Sequence, residues 1–202
     1  MENIKLPGAR LKGEMSVEEA IQRRRSRRDF AGAPLTMEQL GQVLWCAQGV
    51  TERGGSKRAA PSAGATYPMV LFAAVGEQTV AGLGAGVYQY LPAGHALKKV
   101  LEGDIRGRIA SAAYRQHFLA EAPLDILMAA DHSRTSSRYR GRAPRYVAME
   151  AGHIGQNIYL QAEALGLGTV AVGAFDDGAM AEVFGLPREL EPLYLMPVGH
   201  VR

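Results

Sequence analysis

Five arginines occupy six consecutive positions, Arg23 to Arg28, and Ser26 is the one residue that interrupts them. Guanidinium groups bind phosphate through paired, charge-assisted hydrogen bonds, and a serine hydroxyl can add a contact to a phosphate or sugar oxygen. A basic run of this kind can also form a solvated surface or contact the phosphate backbone of a nucleic acid. The run therefore predicts either an anion-binding site or a plain basic surface.

Residues 16–26 have the pattern of a helix, with a Ser-x-x-Glu capping box at its start. At about 100° per residue, the apolar direction of Val17 and Ile21 is shared by two of the arginines, Arg24 and Arg28. A cation directed toward the core needs an anionic partner, because an unpaired buried charge is very costly. That partner is either a carboxylate from elsewhere in the fold or the phosphate of a ligand.

The composition argues against a dedicated nucleic-acid-binding protein. We keep that non-enzymatic function as the alternative hypothesis. Among 202 residues, Lys and Arg exceed Asp and Glu by only 23 to 20, and 47% of the residues are hydrophobic. Such a chain can bury a proper core, and its length fits one domain, residues 1–202, with an N-terminal extension over 1–15.

We expect a cytoplasmic protein without a membrane partner or a metal site. The first 15 residues contain no apolar stretch of signal-peptide length, and no later stretch is long and uncharged enough to cross a bilayer. The single cysteine, Cys46, excludes an intrachain disulfide and a cysteine-based metal cluster, and its neighbours Leu44 and Trp45 indicate a buried thiol.

Helical and extended patterns alternate along the rest of the chain, which predicts a helix-rich α+β fold. A helix over 37–48 has Thr36 as its cap and Gly49 as a left-handed stop. Further helices are predicted over 104–116 and 144–165, with a short one after Asp176, and strands over 69–75, 86–92, 124–130, 169–175 and 192–200.

Three ordered motifs resemble the nitroreductase superfamily of FMN-dependent oxidoreductases. They are RRSRRDF (24–30), PSAGATYP (61–68) and EAGHIGQNIYLQAEALGLGTVAVGAF (150–175), and MPVGH (196–200) is similar to the last strand of the family. The second and third motifs have the form of the SagB-type dehydrogenase branch. The resemblance implies a central, mainly antiparallel sheet flanked by helices, with FMN at the interface of a homodimer.

The resemblance also implies which residues hold the cofactor. The first motif would bind the flavin phosphate and ribityl chain, the second would approach the flat ring through small residues, and the third would offer backbone donors to the reactive edge of the ring. The residues carried over are Arg24, Arg25, Ser26, Arg28, Pro61, Ser62, Ala63, Gly64, Ala171, Val172, Gly173 and Ala174, with His200 and Arg202 from the last strand. Many relatives have a Glu-Gly pair where this chain has Gly173-Ala174, so an acidic side chain is missing there.

The implied chemistry is transfer of a hydride from NAD(P)H through FMN to a small acceptor such as a nitroaromatic or a quinone. An alternative is the SagB-type reaction on peptide azolines or on another small molecule. Members that oxidise azolines have a Lys-Tyr pair before the central helix, and this chain has Arg138-Tyr139 at the similar place. Arginine stays protonated, so it cannot act as the base, and Tyr139 is the one catalytic candidate outside the flavin.

The helix predicted over 144–165 is apolar on more than one side, which is unusual for a surface helix. It is either the core helix of a monomer or part of a twofold interface, where the small residues Ala151, Gly152 and Gly155 would let a second copy approach. The apolar residues include Val147, Ile154, Ile158, Tyr159 and Leu160. We interpret His153 on the same helix as a packed or interface histidine.

Overall fold

The computed structural model describes residues 3–52, 54 and 57–202. The strands are β1 (Ile4–Lys5), β2 (Met69–Val75), β3 (Gly86–Leu91), β4 (Ala96–Glu102), β5 (Leu124–Ala130), β6 (Gly168–Thr169) and β7 (Glu191–Gly199). The helices are α1 (Val17–Arg23), α2 (Met37–Gln48), α3 (Arg106–Ala112), α4 (Phe118–Glu121), α5 (His132–Tyr139), α6 (Ala143–Ala164) and α7 (Asp177–Phe184).

The strands form one sheet in the order β1-β4-β3-β2-β5-β7-β6, and every neighbouring pair is antiparallel. Side chains of β5 alternate between two cores because successive residues of a strand point to opposite faces. Leu124, Ile126 and Met128 pack with α2 and α6, whereas Leu127 and Ala129 pack with α3 and α7. This two-faced arrangement confirms the predicted α+β fold.

Side-chain caps set where several helices begin. Ser16 accepts from the N–H of Glu19, and Thr36 forms a full capping box with Gln39. The end of α2 differs from the prediction, because Gly49 has φ −64° and is extended rather than left-handed. Glycine is still required there, since a Cβ at Gly49 would overlap the Trp45 ring.

Two predicted elements are shorter than expected, and two helices, α4 and α5, were not predicted. The helix expected over 104–116 is limited to α3, and the strand expected over 169–175 is limited to β6 and an isolated pairing of Val172 with Leu195. Helix α5 was missed because its sequence, HSRTSSRY, has no apolar stripe. No helix among the described residues is long and apolar enough to cross a membrane.

A carboxylic acid lies unpartnered inside the sheet. Asp125 on β5 is fully buried, and neither of its oxygens has a hydrogen-bond partner in the described part of the chain. Burial raises the pKa of the Asp125 carboxyl well above its usual value, although Arg106 opposes this shift and Asp104 adds to it. Because an isolated buried carboxylate is so costly, Asp125 is neutral in the folded protein.

Replacing Asp125 by Asn should therefore stabilise the protein increasingly as pH rises. Above about pH 4 the unfolded chain gains free energy by ionising Asp125, whereas the folded chain keeps it protonated until its raised pKa is reached. Relative to Asp125→Asn, the wild type should lose up to about 1.4 kcal/mol of unfolding free energy per pH unit in this range. Urea unfolding at pH 5, 6, 7 and 8 measures the difference.

The exposed carboxyl of Glu182 provides the control, because Glu182→Gln should give curves parallel to those of the wild type. A constant difference between Asp125→Asn and wild type across the four pH values would contradict a neutral Asp125.

Candidate cofactor site

The arginine run leaves the helix earlier than the sequence pattern predicts. Helix α1 ends at Arg23, and Arg24, with ψ 122°, turns the chain into an extended segment. This segment lies beside β6, where Ser26 pairs with Thr169 and the N–H of Arg27 donates to the Thr169 carbonyl at 2.9 Å. The helical-wheel argument for Arg24 and Arg28 was therefore wrong, because neither residue is in a helix.

The arginines of the run differ in their partners. Arg23 forms an ion pair with Glu19 at 2.7 Å. The guanidinium of Arg24 lies 5.1 Å from the centre of the Tyr159 ring, and that of Arg28 lies 5.9 Å from the Phe118 ring. Glu163 accepts from the backbone N–H of Arg25 at 3.2 Å, and the Arg25 guanidinium donates to the carbonyls of Gln22 and Arg24. Within the described residues, no carboxylate lies within ion-pair distance of the guanidinium groups of Arg24, Arg25, Arg27 or Arg28. A carboxylate partner for Arg24 and Arg28 is thus not found there, and their charges can still bind an anion.

The hydroxyl of Tyr159, on α6, connects this segment to the Ala171–Ala174 motif. It lies 2.9 Å from Ser26 Oγ and accepts a hydrogen bond from the N–H of Ala171 at 2.8 Å. When Tyr159 donates its own proton to Ser26, the Ser26 hydroxyl proton is available to a further acceptor. The first and third sequence motifs therefore meet within one chain.

Two backbone donors follow directly in the third motif. Gly173 and Ala174 are exposed, and their N–H groups donate to no other group among the described residues. The carbonyl of Ala174 is fixed by Gln116, whose side-chain amide donates to it at 2.9 Å. Adjacent free N–H groups beside unpaired arginines form a site for a molecule with both hydrogen-bond acceptors and negative charge.

The C-terminal residues support the arginine segment from the other side. The N–H of Ala31 donates to the His200 carbonyl at 2.7 Å, and Arg202 forms an exposed ion pair with Asp29 at 3.3 Å. Both predicted residues therefore lie next to the arginine run. Arg202 already has an anionic partner, whereas the side chain of His200 is half-buried.

The loop of the second motif has a tight and strained backbone. Gly64, Ala65 and Tyr67 all have positive φ, at 59°, 53° and 45°. A Cβ at Gly64 would lie 2.6 Å from the Tyr139 hydroxyl oxygen and 3.0 Å from Arg138 Cδ, so the close contact also requires glycine. Strained non-glycine residues of this kind persist only where the surroundings hold them, and they cluster at functional sites.

A closed ring of hydrogen bonds holds this loop. The Ser62 hydroxyl bonds to the Glu150 carboxylate and accepts from the Tyr67 N–H at 2.9 Å. Gln48 donates to Glu150 at 3.1 Å and accepts from Arg58 at 2.9 Å. The Arg58 N–H donates to the Tyr67 hydroxyl at 3.2 Å, which closes the ring. Ser62, predicted to contact the cofactor, thus uses its hydroxyl in a hydrogen bond within its own chain, and Pro61 and Ala63 beside it remain candidates.

Glu150 and Gln48 are buried polar residues that sequence reasoning missed, at 2% and 0% exposure. Burial raises the pKa of Glu150, and the hydrogen bonds from Ser62 and Gln48 act against that rise. A signal was present in the sequence, because each residue lies at a position where the apolar stripe of its helix should continue, Gln48 four residues after Leu44 and Glu150 three after Val147.

The two halves of the predicted site lie on different sides of α6. His153 Nδ1 lies 3.3 Å from the Pro61 carbonyl, and Tyr159 holds the arginine segment. Six helical residues separate these positions by about 9 Å along the axis and about 120° around it. Among the described contacts, none joins the Pro61–Gly64 loop to the arginine segment. The two groups of predicted site residues are therefore not brought together within the described chain.

Comparison with known proteins assigns the family. The sequence model described as "Nitroreductase family" matches residues 21–200. The chain belongs to the nitroreductase family. It is accordingly an oxidoreductase of the flavin-dependent type, as the resemblance predicted.

Similar proteins cover almost the whole nitroreductase chain. The nitroreductase homologue MJ1384 of Methanocaldococcus jannaschii is 43% identical over 186 residues, which are 92% of this chain and 91% of that protein. A nitroreductase-family crystal structure from Ralstonia eutropha has a TM-score of 0.86 and 31% identity, covering 99% of this chain and 90% of the other. The microcin B17-processing protein McbC of Escherichia coli is 27% identical over 177 residues, 83% of this chain and 63% of its own.

Removal of the Tyr159 hydroxyl should loosen the link between the two motifs that it joins. In Tyr159→Phe, the Ala171 N–H loses its partner, so its hydrogen exchange should speed up by about tenfold or more and the unfolding free energy should fall by about 1–3 kcal/mol. Hydrogen–deuterium exchange of the 168–175 segment and urea unfolding measure the two effects.

Tyr114 is a matched control, because its side chain is 67% exposed and Tyr114→Phe removes the same atom. If Tyr159→Phe exchanged no faster at Ala171 than Tyr114→Phe, the hydroxyl would not connect the motifs.

Proposed function

We propose that this nitroreductase binds FMN and oxidises NAD(P)H, passing the electrons to a small organic acceptor such as a nitroaromatic or a quinone. The observation that supports this most is the pairing of two features beside Tyr159: arginines without carboxylate partners, and adjacent backbone N–H groups without acceptors, both among the described residues. FMN carries a dianionic phosphate at one end and a ring with acceptor atoms at the other, so it matches both features.

The roles of the side chains follow from their environments. Arg24 and Arg28 bind the phosphate, because each guanidinium is held against an aromatic ring and lacks an acidic partner in the described structure. The Ser26 hydroxyl, oriented by Tyr159, donates to the phosphate or the ribityl chain. Arg25 supplies further positive charge.

The donors on the ring side are backbone groups. The N–H groups of Gly173 and Ala174 bond to acceptor atoms at the ring edge, and Gln116 keeps Ala174 in place. FMN, when bound, supplies the two-electron carrier between NAD(P)H and the acceptor. Because no acidic side chain stands at Gly173 or Ala174, the chain stabilises charge there through peptide dipoles alone.

We further propose that two copies of the chain complete the site. The face of α6 away from the sheet exposes Met149, at 52%, and Gly152, where a Cβ would meet no atom within 4 Å. Val17 and Ile21 on α1 are exposed as well, at 64% and 57%. Packing of these surfaces would bring the Pro61–Gly64 loop of one copy to the arginine segment of the other.

Burial in the single chain limits which α6 residues can contribute to the proposed interface. Ile154 and Ile158 were expected there, but both are fully buried in the core of their own chain. Gly155 was also expected there, yet it is buried and faces Tyr194 and Met196 on β7. Of the small residues 151, 152 and 155, only Gly152 lies on the exposed face of α6 in the described structure.

A SagB-type reaction is the second candidate, supported by the likeness to McbC and by one contact. Tyr139 packs edge-on against Tyr146, with ring centres 4.9 Å apart, and its hydroxyl lies against Gly64 in the second motif. If the second motif approaches the flavin ring, Tyr139 would be the proton-transfer group of this reaction. Arg138, which hydrogen-bonds to the Gly64 carbonyl at 3.3 Å, stays charged and cannot be a base, so we place reduction of small molecules first.

The cofactor prediction is tested by FMN retention and by NADH- or NADPH-driven reduction of menadione. Wild type should purify with FMN and be active, whereas Arg24→Ala and Arg28→Ala should bind FMN about 10- to 100-fold more weakly, since each loses a charge-assisted contact. Equilibrium dialysis with flavin absorbance measures the dissociation constants.

Arg23→Ala removes the same charge from an arginine that is already paired with Glu19, so it should retain FMN as the wild type does. Equal losses in the Arg23 and Arg28 variants would contradict the assigned roles. Protein that binds no FMN, yet binds DNA with a steep salt dependence, would favour the nucleic-acid alternative.

The dimer is tested by placing a charge on the exposed face of α6. Gly152→Glu has open space in the isolated chain and should leave it folded, but it should disrupt a twofold contact and release FMN. Sedimentation at low micromolar concentration, with the flavin signal recorded, should show a dimer for wild type and a monomer without flavin for the variant.

The matched control is Gly107→Glu, since Gly107 is also an exposed glycine in a helix with no atom near its Cβ position. It should remain dimeric. A wild-type monomer that retains FMN would refute the shared site.

A further inference from the structure

The turn between α5 and α6 borders the second-motif loop. Arg138 Nη1 donates to the Gly64 carbonyl at 3.3 Å, and the Tyr139 hydroxyl occupies the space beside Gly64. The chain then passes through a 3-10 turn, Arg140–Arg142, into the first turn of α6. Under the proposed function, residues 138–145 therefore lie at the entrance to the flavin ring.

This turn has an unusual excess of positive charge. Residues 132–149 contain five arginines and no aspartate or glutamate. Arg134 pairs with Asp131 at 3.0 Å, but no carboxylate among the described residues lies within ion-pair distance of the other four. We call those four, Arg138, Arg140, Arg142 and Arg145, the arginine rim. All are exposed.

The positive charge of the rim is not typical of the chain as a whole. The whole chain has a formal net charge of only +3, so these four residues carry more positive charge than the protein as a whole. Several arginines outside the cofactor segment are neutralised by neighbours, including Arg106 by Asp104 and Arg202 by Asp29. Four like charges within eight residues repel one another, and a bound anion would relieve that repulsion.

The local backbone adds to the same field. Arg140 has φ +48°, a conformation that a non-glycine residue rarely adopts, and it follows the end of α5 directly. The 22-residue helix α6 then begins with no acidic residue in its first turn, so the positive end of its dipole is not offset locally. The arginine side chains and the start of α6 thus both contribute positive potential to the turn, whose first arginine, Arg138, contacts Gly64.

We propose that the arginine rim selects an organic electron acceptor with two or more negative charges, such as carboxylate, sulfonate or phosphate groups, at the entrance to the flavin site. This inference rests on the proposed function and specifies the substrate class. Guanidinium forks bind such groups with paired hydrogen bonds, and a positively charged entrance raises the local concentration and association rate of an anionic substrate.

The test uses two probes that share one reacting group, 5-nitroisophthalate, a dianion, and its uncharged dimethyl ester. In each reaction NAD(P)H and one proton reduce the nitro group by two electrons, giving the nitroso compound, water and NAD(P)⁺. The quantity compared is the ratio of kcat/KM for the dianion to kcat/KM for the ester, because intrinsic differences in reactivity cancel between protein variants.

The rim variant is Arg140→Gln/Arg142→Gln/Arg145→Gln, which leaves Arg138 and its bond to Gly64 intact. At low ionic strength the variant should lower the ratio by about tenfold or more, with little change for the ester. About 1 M salt, where the Debye length is about 3 Å, should lower the wild-type ratio toward that of the variant. The matched control, Lys5→Gln/Lys12→Gln/Lys98→Gln, removes three exposed charges elsewhere and should keep the wild-type ratio.

Calorimetric titration of 5-nitroisophthalate into the protein as purified gives a measurement that needs no turnover, and the rim variant should bind it about tenfold more weakly than the lysine control does. Equal ratios and equal dissociation constants in the rim and lysine variants would overturn the proposal.

If neither probe is reduced but the dianion still binds through the rim, the proposed function fails while the anion site stands. If the ester is reduced and the rim variant behaves as the control does, the proposed function stands and the anionic acceptor is refuted. Rim-dependent binding of DNA in place of the dianion would also refute it.

Discussion

The packing of α6 against the sheet fixes both halves of the proposed site. Ile154 and Ile158 are fully buried, and Gly155 faces Tyr194 and Met196 on β7, where a Cβ would lie in ordinary contact with both side chains. With that contact set, His153 and Tyr159 point to different sides of the helix. The second-motif loop and the arginine segment are consequently held by the same rigid element, and a rotation of α6 would displace both together.

Polar contacts, in addition to apolar packing, hold the motifs in place. They are needed because each motif contains a backbone conformation that does not persist without support. The loop with positive φ at Ala65 and Tyr67 is held by the ring through Ser62, Glu150, Gln48 and Arg58. Such a ring stabilises only while every member is bonded, since one missing partner leaves a buried polar group unsatisfied. Polar residues therefore occupy core positions of α2 and α6.

The sequence predicted the elements with strong periodicity and the motif positions, but not the contacts between them. Strands 69–75 and 124–130 were predicted to the residue, because buried apolar runs bounded by turns have few other solutions. Helix α5 was missed, and α1 was extended too far, since arginines have high helix propensity and the stop at Arg24 comes from pairing with β6. Which of Gly152 and Gly155 faces solvent likewise depends on how α6 packs in the folded protein. The sequence alone cannot distinguish two glycines that are three residues apart.

The arginines show most clearly why partners matter more than periodicity for the function of a charged residue. Arg23 has an acidic neighbour, Glu19, one helical turn away, and the ion pair between them neutralises its charge within α1. Arg24 and Arg28 lie over aromatic rings, which position a cation without neutralising it. In the rim, Arg138 lies near the Tyr139 ring, whereas the three arginines that follow it have neither kind of support among the described residues, so their charge is directed to solvent at the edge of the second motif. Paired, stacked and free cations thus follow one another along the described chain, and the stacked and free ones keep a positive charge that a bound anion can neutralise.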